Sequence, residues 1–282
     1  MIGEWRASPS GWNLEDNATL GDDGVWRTAG AEADVDYPDD SHELLAAVED
    51  HSEWFRERNR LIAAALERDG LPTHMVEVGS GNGFVATHLR GLGVDVLAVE
   101  PGRGGAAVSS GRGVPTVCGL FEELELPSES LASVGVFDVL EHLERPRELL
   151  AEVKRVLAPG GRLAVTVPAM PALWSRADVL AGHHRRYTRA TLAKEVVGFT
   201  PVTIDYAFLS MVPAIGLLRT LPHRVGVGAG DDGGSAAATR QVAGYGSLGR
   251  RLSRVAFRVD DHVRRRRALP FGSSLIAVFA KN

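Results

Sequence analysis

The middle of the chain alternates short apolar runs with segments of helical periodicity. Four runs rich in Val, Leu and Ala predict buried strands: residues 75–78, 94–100, 134–138 and 162–168. Between the last two, apolar positions from 149 to 157 recur at helical spacing, and Pro-Gly-Gly at 159–161 ends that helix. Strands that alternate with helices predict an α/β fold with a doubly wound, mostly parallel sheet.

The flanking regions follow other patterns. Residues 1–40 are polar and lack periodicity, and we predict an irregular N-terminal arm there. Residues 41–282 are predicted to form one domain, in which 41–70 is a helical cap before the first strand. An insertion at 206–267 combines an apolar segment, a glycine-rich stretch and a basic helix, and a final apolar strand follows at 274–280.

Three alternating glycines follow the first predicted strand directly. Gly79, Gly81 and Gly83 let the backbone turn sharply and approach a ligand, and the helix that follows offers free N–H groups at its start. Glu77 lies just before them, and Glu100 ends the second strand. A carboxylate at that strand tip is suited to bind both hydroxyls of a ribose, so the pattern indicates a nucleotide-type ligand.

The spacing Gly-x-Gly-x-Gly, with Glu77 and Glu100, resembles the first two motifs of class I S-adenosyl-L-methionine-dependent methyltransferases. The segment 134–146, with Leu-Glu-His after its strand, resembles the subgroup that includes ubiquinone-biosynthesis O-methyltransferases. The resemblance covers roughly 54–192 and the final strand. It implies a Rossmann-like, seven-stranded sheet with an antiparallel last strand. It also places the insertion 206–267 on the acceptor side.

The resemblance further implies a cofactor site for S-adenosylmethionine. Its predicted residues are Arg60, Glu77, Gly79, Gly81, Gly83, Glu100, Phe121 and Phe137. The arginine that meets the cofactor carboxylate is open among Arg56, Arg58 and Arg60, and Leu120 is an alternative to Phe121 beside the adenine. Two other functions remain open: a nicotinamide-dependent oxidoreductase, whose loop has Gly-x-Gly-x-x-Gly, and a non-catalytic protein that binds S-adenosylmethionine.

Polar residues farther along the chain are candidates for the acceptor site. His142 and His184 are predicted to be catalytic, because a neutral imidazole accepts a proton from an acceptor hydroxyl. Trp54, Arg186 and Tyr187 are predicted to bind the acceptor. A helix-cap hydrogen bond for His142 and a solvated loop at 183–187 are the alternatives. No metal site is predicted, since the adjacent histidines 183 and 184 point apart.

Composition and charge limit the class of protein and the cellular location that we expect. The chain has 282 residues, a net charge of −5 and a single cysteine, Cys118. This charge argues against nucleic-acid binding, and the sequence has no apolar run of about 20 residues that would cross a membrane. We expect a cytoplasmic, bacterial enzyme of secondary metabolism that O-methylates a small-molecule or lipid-like acceptor. The arginines at 250–267 are solvated or contact an anionic membrane surface peripherally. The oligomeric state is not indicated.

Overall fold

The computed structural model describes residues 12–30, 46, 49–226, 247–264 and 266–282. Predictions that concern other residues, among them the helix start near Ser41 and most of the glycine-rich stretch, lie outside these ranges.

A single sheet organises the described chain. Its strands are β1 (Thr19–Leu20), β2 (Trp26–Arg27), β3 (His74–Val78), β4 (Asp95–Glu100), β5 (Thr116–Cys118), β6 (Leu131–Phe137), β7 (Leu157–Pro168), β8 (Phe199–Ala207) and β9 (Ser274–Lys281). Their order across the sheet is β1-β2-β5-β4-β3-β6-β7-β9-β8. Strands β5, β4, β3, β6 and β7 are parallel to one another, and β9 runs antiparallel to both β7 and β8. This arrangement confirms the predicted fold class.

Helices cover both faces of the sheet. They are α1 (Glu53–Leu66), α2 (Phe84–Gly91), α3 (Arg103–Gly111), α4 (Pro146–Val156), α5 (Arg176–Leu180), α6 (Arg189–Glu195), α7 (Val212–Ile215), α8 (Leu221–Arg224) and α9 (Ser247–Arg264). Successive residues of β4 belong to opposite cores, with Leu97 and Val99 on one face and Val96 and Ala98 on the other. Burial on both faces explains why these strands are continuously apolar rather than alternating.

The N-terminal arm is more regular than its sequence predicted. Strands β1 and β2 form a hairpin, and β2 pairs in parallel with β5 at the edge of the sheet. Trp26 is buried, and the Trp12 indole Nε1 donates a hydrogen bond of 2.9 Å to the carbonyl of Leu124. The tryptophans therefore anchor the arm, although its strands are too short to show periodicity.

The insertion after β8 is described in two parts, 206–226 and 247–264, which contact each other. A short turn at Leu209–Met211 leads through α7 and a π-helical turn at Gly216–Thr220 into α8. Helix α9 packs against the segment that follows β8, where the rings of Phe257 and Phe208 have centroids 5.3 Å apart. Within the described residues, no helix combines the length and the apolar character needed to span a membrane.

Candidate cofactor and acceptor site

The glycine loop lies at the carboxyl end of β3, in the crevice where parallel sheets bind ligands. Gly79, Gly81 and Gly83 all have positive φ, at +68°, +53° and +68°. A Cβ atom on Gly79 would lie 2.5 Å from Val139, whereas one on Gly81 would meet no atom within 4 Å. Gly79 therefore permits close packing inside the fold, and Gly81 presents open backbone to a ligand.

Glu100 holds this loop in place. Its two carboxylate oxygens accept hydrogen bonds from the backbone N–H of Gly81 at 2.6 Å and of Gly102 at 2.8 Å. These contacts fix the carboxylate at the tip of β4, beside the glycine loop.

Glu77 lies beneath the loop and is buried at 2% exposure. Its Oε2 atom has no hydrogen-bond partner among the described residues. Burial raises the pKa of Glu77 to about 8, against an opposing effect of the nearby Arg58 guanidinium. A carboxyl in this state favours a ligand that brings positive charge.

Arg58, rather than Arg60, points toward this site. The Arg58 guanidinium lies 2.5 Å from the Asp138 carboxylate at the end of β6 and stacks over the Trp54 ring at 5.4 Å. Arg60 instead pairs with Glu57 at 2.6 Å and with Asp261 at 3.1 Å. Residues two apart on α1 face different directions, so Arg58 replaces Arg60 as the candidate for the arginine that meets the cofactor carboxylate.

A further buried acid approaches the loop from the N-terminal side. Glu49 is 6% exposed, and its carboxylate accepts a hydrogen bond of 3.2 Å from the side-chain amide of Asn82, inside the glycine loop. Burial raises the pKa of Glu49, while Asn82, Arg58 and Arg112 oppose that shift. Arg58 is thus a positive charge shared by Glu49 and Glu77.

The predicted aromatic residues lie at different depths. Phe137 is buried at the end of β6, and Phe121 is buried in the core beside β5, so both rings act in packing. Leu120, the alternative to Phe121, is 38% exposed at the same turn. Trp54 is half-buried and contacts Phe208, with ring centroids 5.6 Å apart. Of these residues, Leu120 and Trp54 have surface to offer a ligand.

The loop after β6 meets the loop after α5 through histidines. His142 and His183 are in edge-to-face contact, with ring centroids 4.7 Å apart. Desolvation, and then His183, lowers the pKa of His142 to about 4, so this ring is neutral at neutral pH. Glu141 beside it is 1% exposed, and burial raises its pKa well above the ordinary value. The predicted His142 is therefore partnered by His183 rather than by His184.

The segment 183–187 is packed against its neighbours rather than fully solvated. Arg186 donates hydrogen bonds to Asp178 at 2.7 Å and to the carbonyl of Ala169 at 3.0 Å. Tyr187 is 2% exposed and donates to the carbonyl of Leu140 at 3.3 Å. The His184 side chain is exposed, while its backbone N–H donates to the carbonyl of Glu141 at 2.7 Å. Arg186 and Tyr187 therefore hold the loops around His142. Two of the five N–H groups of Arg186 are used in this way, so acceptor contact by Arg186 stays a prediction, as does that by Tyr187.

Three contributors were not selected from the sequence: Asp138, Asp178 and His183. Asp138 adopts φ +55°, a conformation uncommon for a residue other than glycine, and it receives Arg58. Asp178 joins His183 to Arg186. His183 belongs to the polar cluster at 183–187, and Asp178 lies only five residues before it, so both had a local signal. The contact of Asp138 with Arg58 joins residues 80 apart in the chain and had none.

Comparisons with known proteins agree with this geometry. Residues 76–165 match the family described as a methyltransferase domain. The ubiquinone/menaquinone biosynthesis C-methyltransferase UbiE of Rubrivivax gelatinosus is 30% identical over 129 residues, which cover 45% of this chain and 49% of the relative. The biotin biosynthesis bifunctional protein BioHC of Cellvibrio japonicus is 27% identical over 144 residues, which cover 48% of this chain and 28% of the relative. The matches thus span about half, or less, of these curated relatives.

Solved structures extend the likeness over most of the fold. Phosphoethanolamine N-methyltransferase 2 of Haemonchus contortus, in complex with S-adenosyl-L-methionine, superposes with a TM-score of 0.55 at 17% identity. The superposition covers 87% of this chain and 57% of that one. The predicted resemblance is confirmed: residues 76–165 form a methyltransferase domain of the class I, S-adenosylmethionine-dependent kind.

Proposed function

We propose that this chain transfers a methyl group from S-adenosylmethionine to an oxygen of a small-molecule or lipid-like acceptor. The observation that carries the proposal is the excess of buried carboxyl groups around the glycine loop. Glu49 and Glu77 are both buried there, and the pKa of each is raised by burial. A ligand with a positive ammonium and a positive sulfonium relieves this charge imbalance, whereas a pyrophosphate aggravates it.

The residues present fit that cofactor. Glu77 offers an oxygen without a hydrogen-bond partner among the described residues, Gly81 offers open space beside its backbone, and the Glu100 carboxylate stands at the strand tip beside the loop. We assign the ribose hydroxyls to Glu100 and the amino-acid end of the cofactor to Glu77 and Arg58. The bound cofactor supplies a methyl group activated by its attachment to positively charged sulfur.

The protein's own residues contribute to the reaction rate mainly by positioning the two reactants. Two reactants held in line at contact distance react far faster than in free solution, by effective molarities that reach about 10⁵–10⁸ M. The buried Glu49 and the contact between Trp54 and Phe208 border the crevice on its cap side. His142, being neutral, accepts the acceptor's proton at a ring nitrogen.

The half-buried Trp54 beside Arg58 favours an apolar acceptor, and the buried Phe208 and Phe257 rings pack behind it. Trp54 packs on Phe208, and Phe208 packs on Phe257 of α9. Trp54 belongs to the helical cap, and Phe208 and Phe257 belong to the insertion at 206–267. We therefore propose an acceptor with an aromatic or prenyl-like body, of which the reacting oxygen approaches His142.

Cofactor binding tests the core of the proposal. Calorimetry is expected to detect binding of S-adenosylmethionine or S-adenosylhomocysteine and no comparable binding of NAD. Replacing Glu100 with alanine is expected to weaken that binding by about 1–3 kcal/mol, the loss typical of hydrogen bonds to a charged group. Glu122→Ala, which removes an exposed carboxylate on the turn after β5, serves as the matched control. Tight binding of NAD alone would overturn the assignment in favour of an oxidoreductase.

We also propose peripheral contact of α9 with an anionic membrane surface. Leu252, Val255 and Val259 are 62%, 58% and 56% exposed. Their spacing places them on one side of α9, opposite the buried Phe257. The exposed Arg251 and Arg258 border one side of this stripe. An apolar stripe bordered by arginine is the pattern of a helix that lies in the interface of an anionic bilayer.

Vesicle sedimentation tests this contact. The full chain is expected to sediment with vesicles that contain phosphatidylserine, less at high salt, and not with neutral vesicles. The triple variant Leu252→Ser, Val255→Ser, Val259→Ser is expected to stay in the supernatant. Val197→Ser changes a valine that is 64% exposed elsewhere and should sediment like the parent. If the stripe instead mediates self-association, the triple variant alters the sedimentation coefficient of the free protein and vesicle binding is absent.

A further inference from the structure

The cluster of Glu141, His142 and His183 has the composition of a metal site. Its possible ligand atoms all lie within 4.8 Å of one another. Two of the three residues follow β6, and the third comes from the loop after α5. The Oε2 atom of Glu141 is buried without a hydrogen-bond partner among the described residues, which is costly for a polar atom unless something binds it.

A second layer of contacts orients His183. The Nδ1 atom of His183 lies 3.1 Å from Asp178, which leaves the Nε2 atom with its lone pair available to a ligand. Asp178 also accepts hydrogen bonds from Arg186 at 2.7 Å and from the backbone N–H of Ser175 at 2.8 Å. A histidine held at its far nitrogen by a buried carboxylate is the usual arrangement behind a metal-binding imidazole.

We propose that Glu141, His142 and His183 bind a divalent transition-metal ion. Two imidazoles and one carboxylate suit Zn²⁺, Fe²⁺ or Mn²⁺ better than Mg²⁺ or Ca²⁺, which prefer oxygen ligands. Ligand atoms around a tetrahedral zinc are about 3.3 Å apart, given metal–ligand distances near 2.0 Å. His142 reaches the surface and can turn to close the remaining distance, while the contact with Asp178 holds His183.

Such an ion has a chemical use beside the methyl-transfer crevice. Three protein ligands leave a position open, and an acceptor hydroxyl or enol oxygen bound there loses its proton to solvent more readily. This use rests on the proposed function, whereas binding of the ion does not. With the ion in place, the His142 nitrogen that binds it no longer accepts a proton, and the ion activates the acceptor instead.

Metal binding is tested on the full chain after treatment with a chelator and without cofactor. Calorimetry with Zn²⁺, and the visible absorption of Co²⁺ as a probe of the ligand set, are expected to show one ion per chain. His183→Ala and Glu141→Gln should each weaken binding by at least 100-fold, and Asp178→Asn by about 10–100-fold through its effect on His183. His184→Ala, which removes the exposed neighbouring histidine, should bind as the parent does.

Circular dichroism and binding of S-adenosylhomocysteine identify variants that remain folded, and they separate the metal site from the proposed function. Loss of metal binding with cofactor binding intact supports the site. The proposal is overturned if the parent binds no ion, or if folded His183→Ala and Glu141→Gln variants bind it unchanged. Loss in His184→Ala alone would assign the ion to the surface.

Discussion

Replacing His142 with alanine is expected to slow methyl transfer by roughly 10²–10⁴-fold, the contribution of a positioned acid–base group. The ring lies against His183, beside buried Glu141, so it is the polar group of this loop best placed to act on an acceptor hydroxyl. Its removal leaves the glycine loop, Glu77 and Glu100 untouched. We therefore expect a fall in kcat with almost unchanged affinity for S-adenosylhomocysteine, measured by turnover and calorimetry.

Two other histidine variants show whether the effect is specific to His142. His74→Ala removes an exposed ring at the start of β3, far from the loop after β6 in sequence, and is expected to retain turnover. His184→Ala tests the second histidine predicted from the sequence. If His184→Ala is slow and His142→Ala is not, the acceptor proton leaves by a different route and His142 has no catalytic role. If neither variant is slow, positioning alone carries the reaction.

The stability of the ligand-free protein is expected to fall as the pH rises from about 5 to 8, and Glu77→Gln is expected to reduce that fall. The pKa of Glu77 is raised from 4.5 to about 8 by burial. A carboxyl whose pKa is higher in the folded state stabilises the fold only while protonated, so its contribution is complete below pH 4.5 and lost through pH 8. At about 1.4 kcal/mol per pKa unit, the loss over this whole range amounts to about 5 kcal/mol.

Urea unfolding at several pH values measures the effect. Glutamine mimics the protonated carboxyl, so Glu77→Gln should flatten the pH profile, whereas the exposed Glu122→Gln should not. The variant flattens only part of the profile, because burial also raises the pKa of Glu49, Glu141 and Asp260. Arg58, Glu100 and Glu49 are the charged groups around Glu77. Equal pH slopes for the parent and Glu77→Gln would mean that Glu77 ionises without cost in the fold.

The cofactor half of the site was predictable because its signals are local in sequence. Three glycines, an acid before them and an acid at the next strand tip fall within 24 residues, from Glu77 to Glu100. Each needs a particular backbone or charge at a strand end, and the structure places all of them at the same edge of the sheet. The parallel core was predictable for the same reason, since strands buried on both faces are continuously apolar.

The acceptor half was predicted less well, because its contacts join distant parts of the chain. Helical periodicity does not decide which of several arginines on α1 points inward, and it is the pairing of Arg58 with Asp138 that selects it. The sequence likewise shows two adjacent histidines, but only the fold brings His183 to His142. Arg186 has the charge of an anion clamp, yet Asp178 uses it inside the fold.

The N-terminal hairpin has a consequence for how this protein is handled. Strand β5 would be the outermost strand of the parallel sheet if β2 did not pair with it, and an unpaired edge is a template for association with other chains. Thr28 reinforces the joint through a hydrogen bond of 2.6 Å to Glu123. A chain shortened to the part that resembles its relatives would lose β2, and the edge of β5 would be left unpaired and prone to association. The first thirty residues therefore belong in any expressed version.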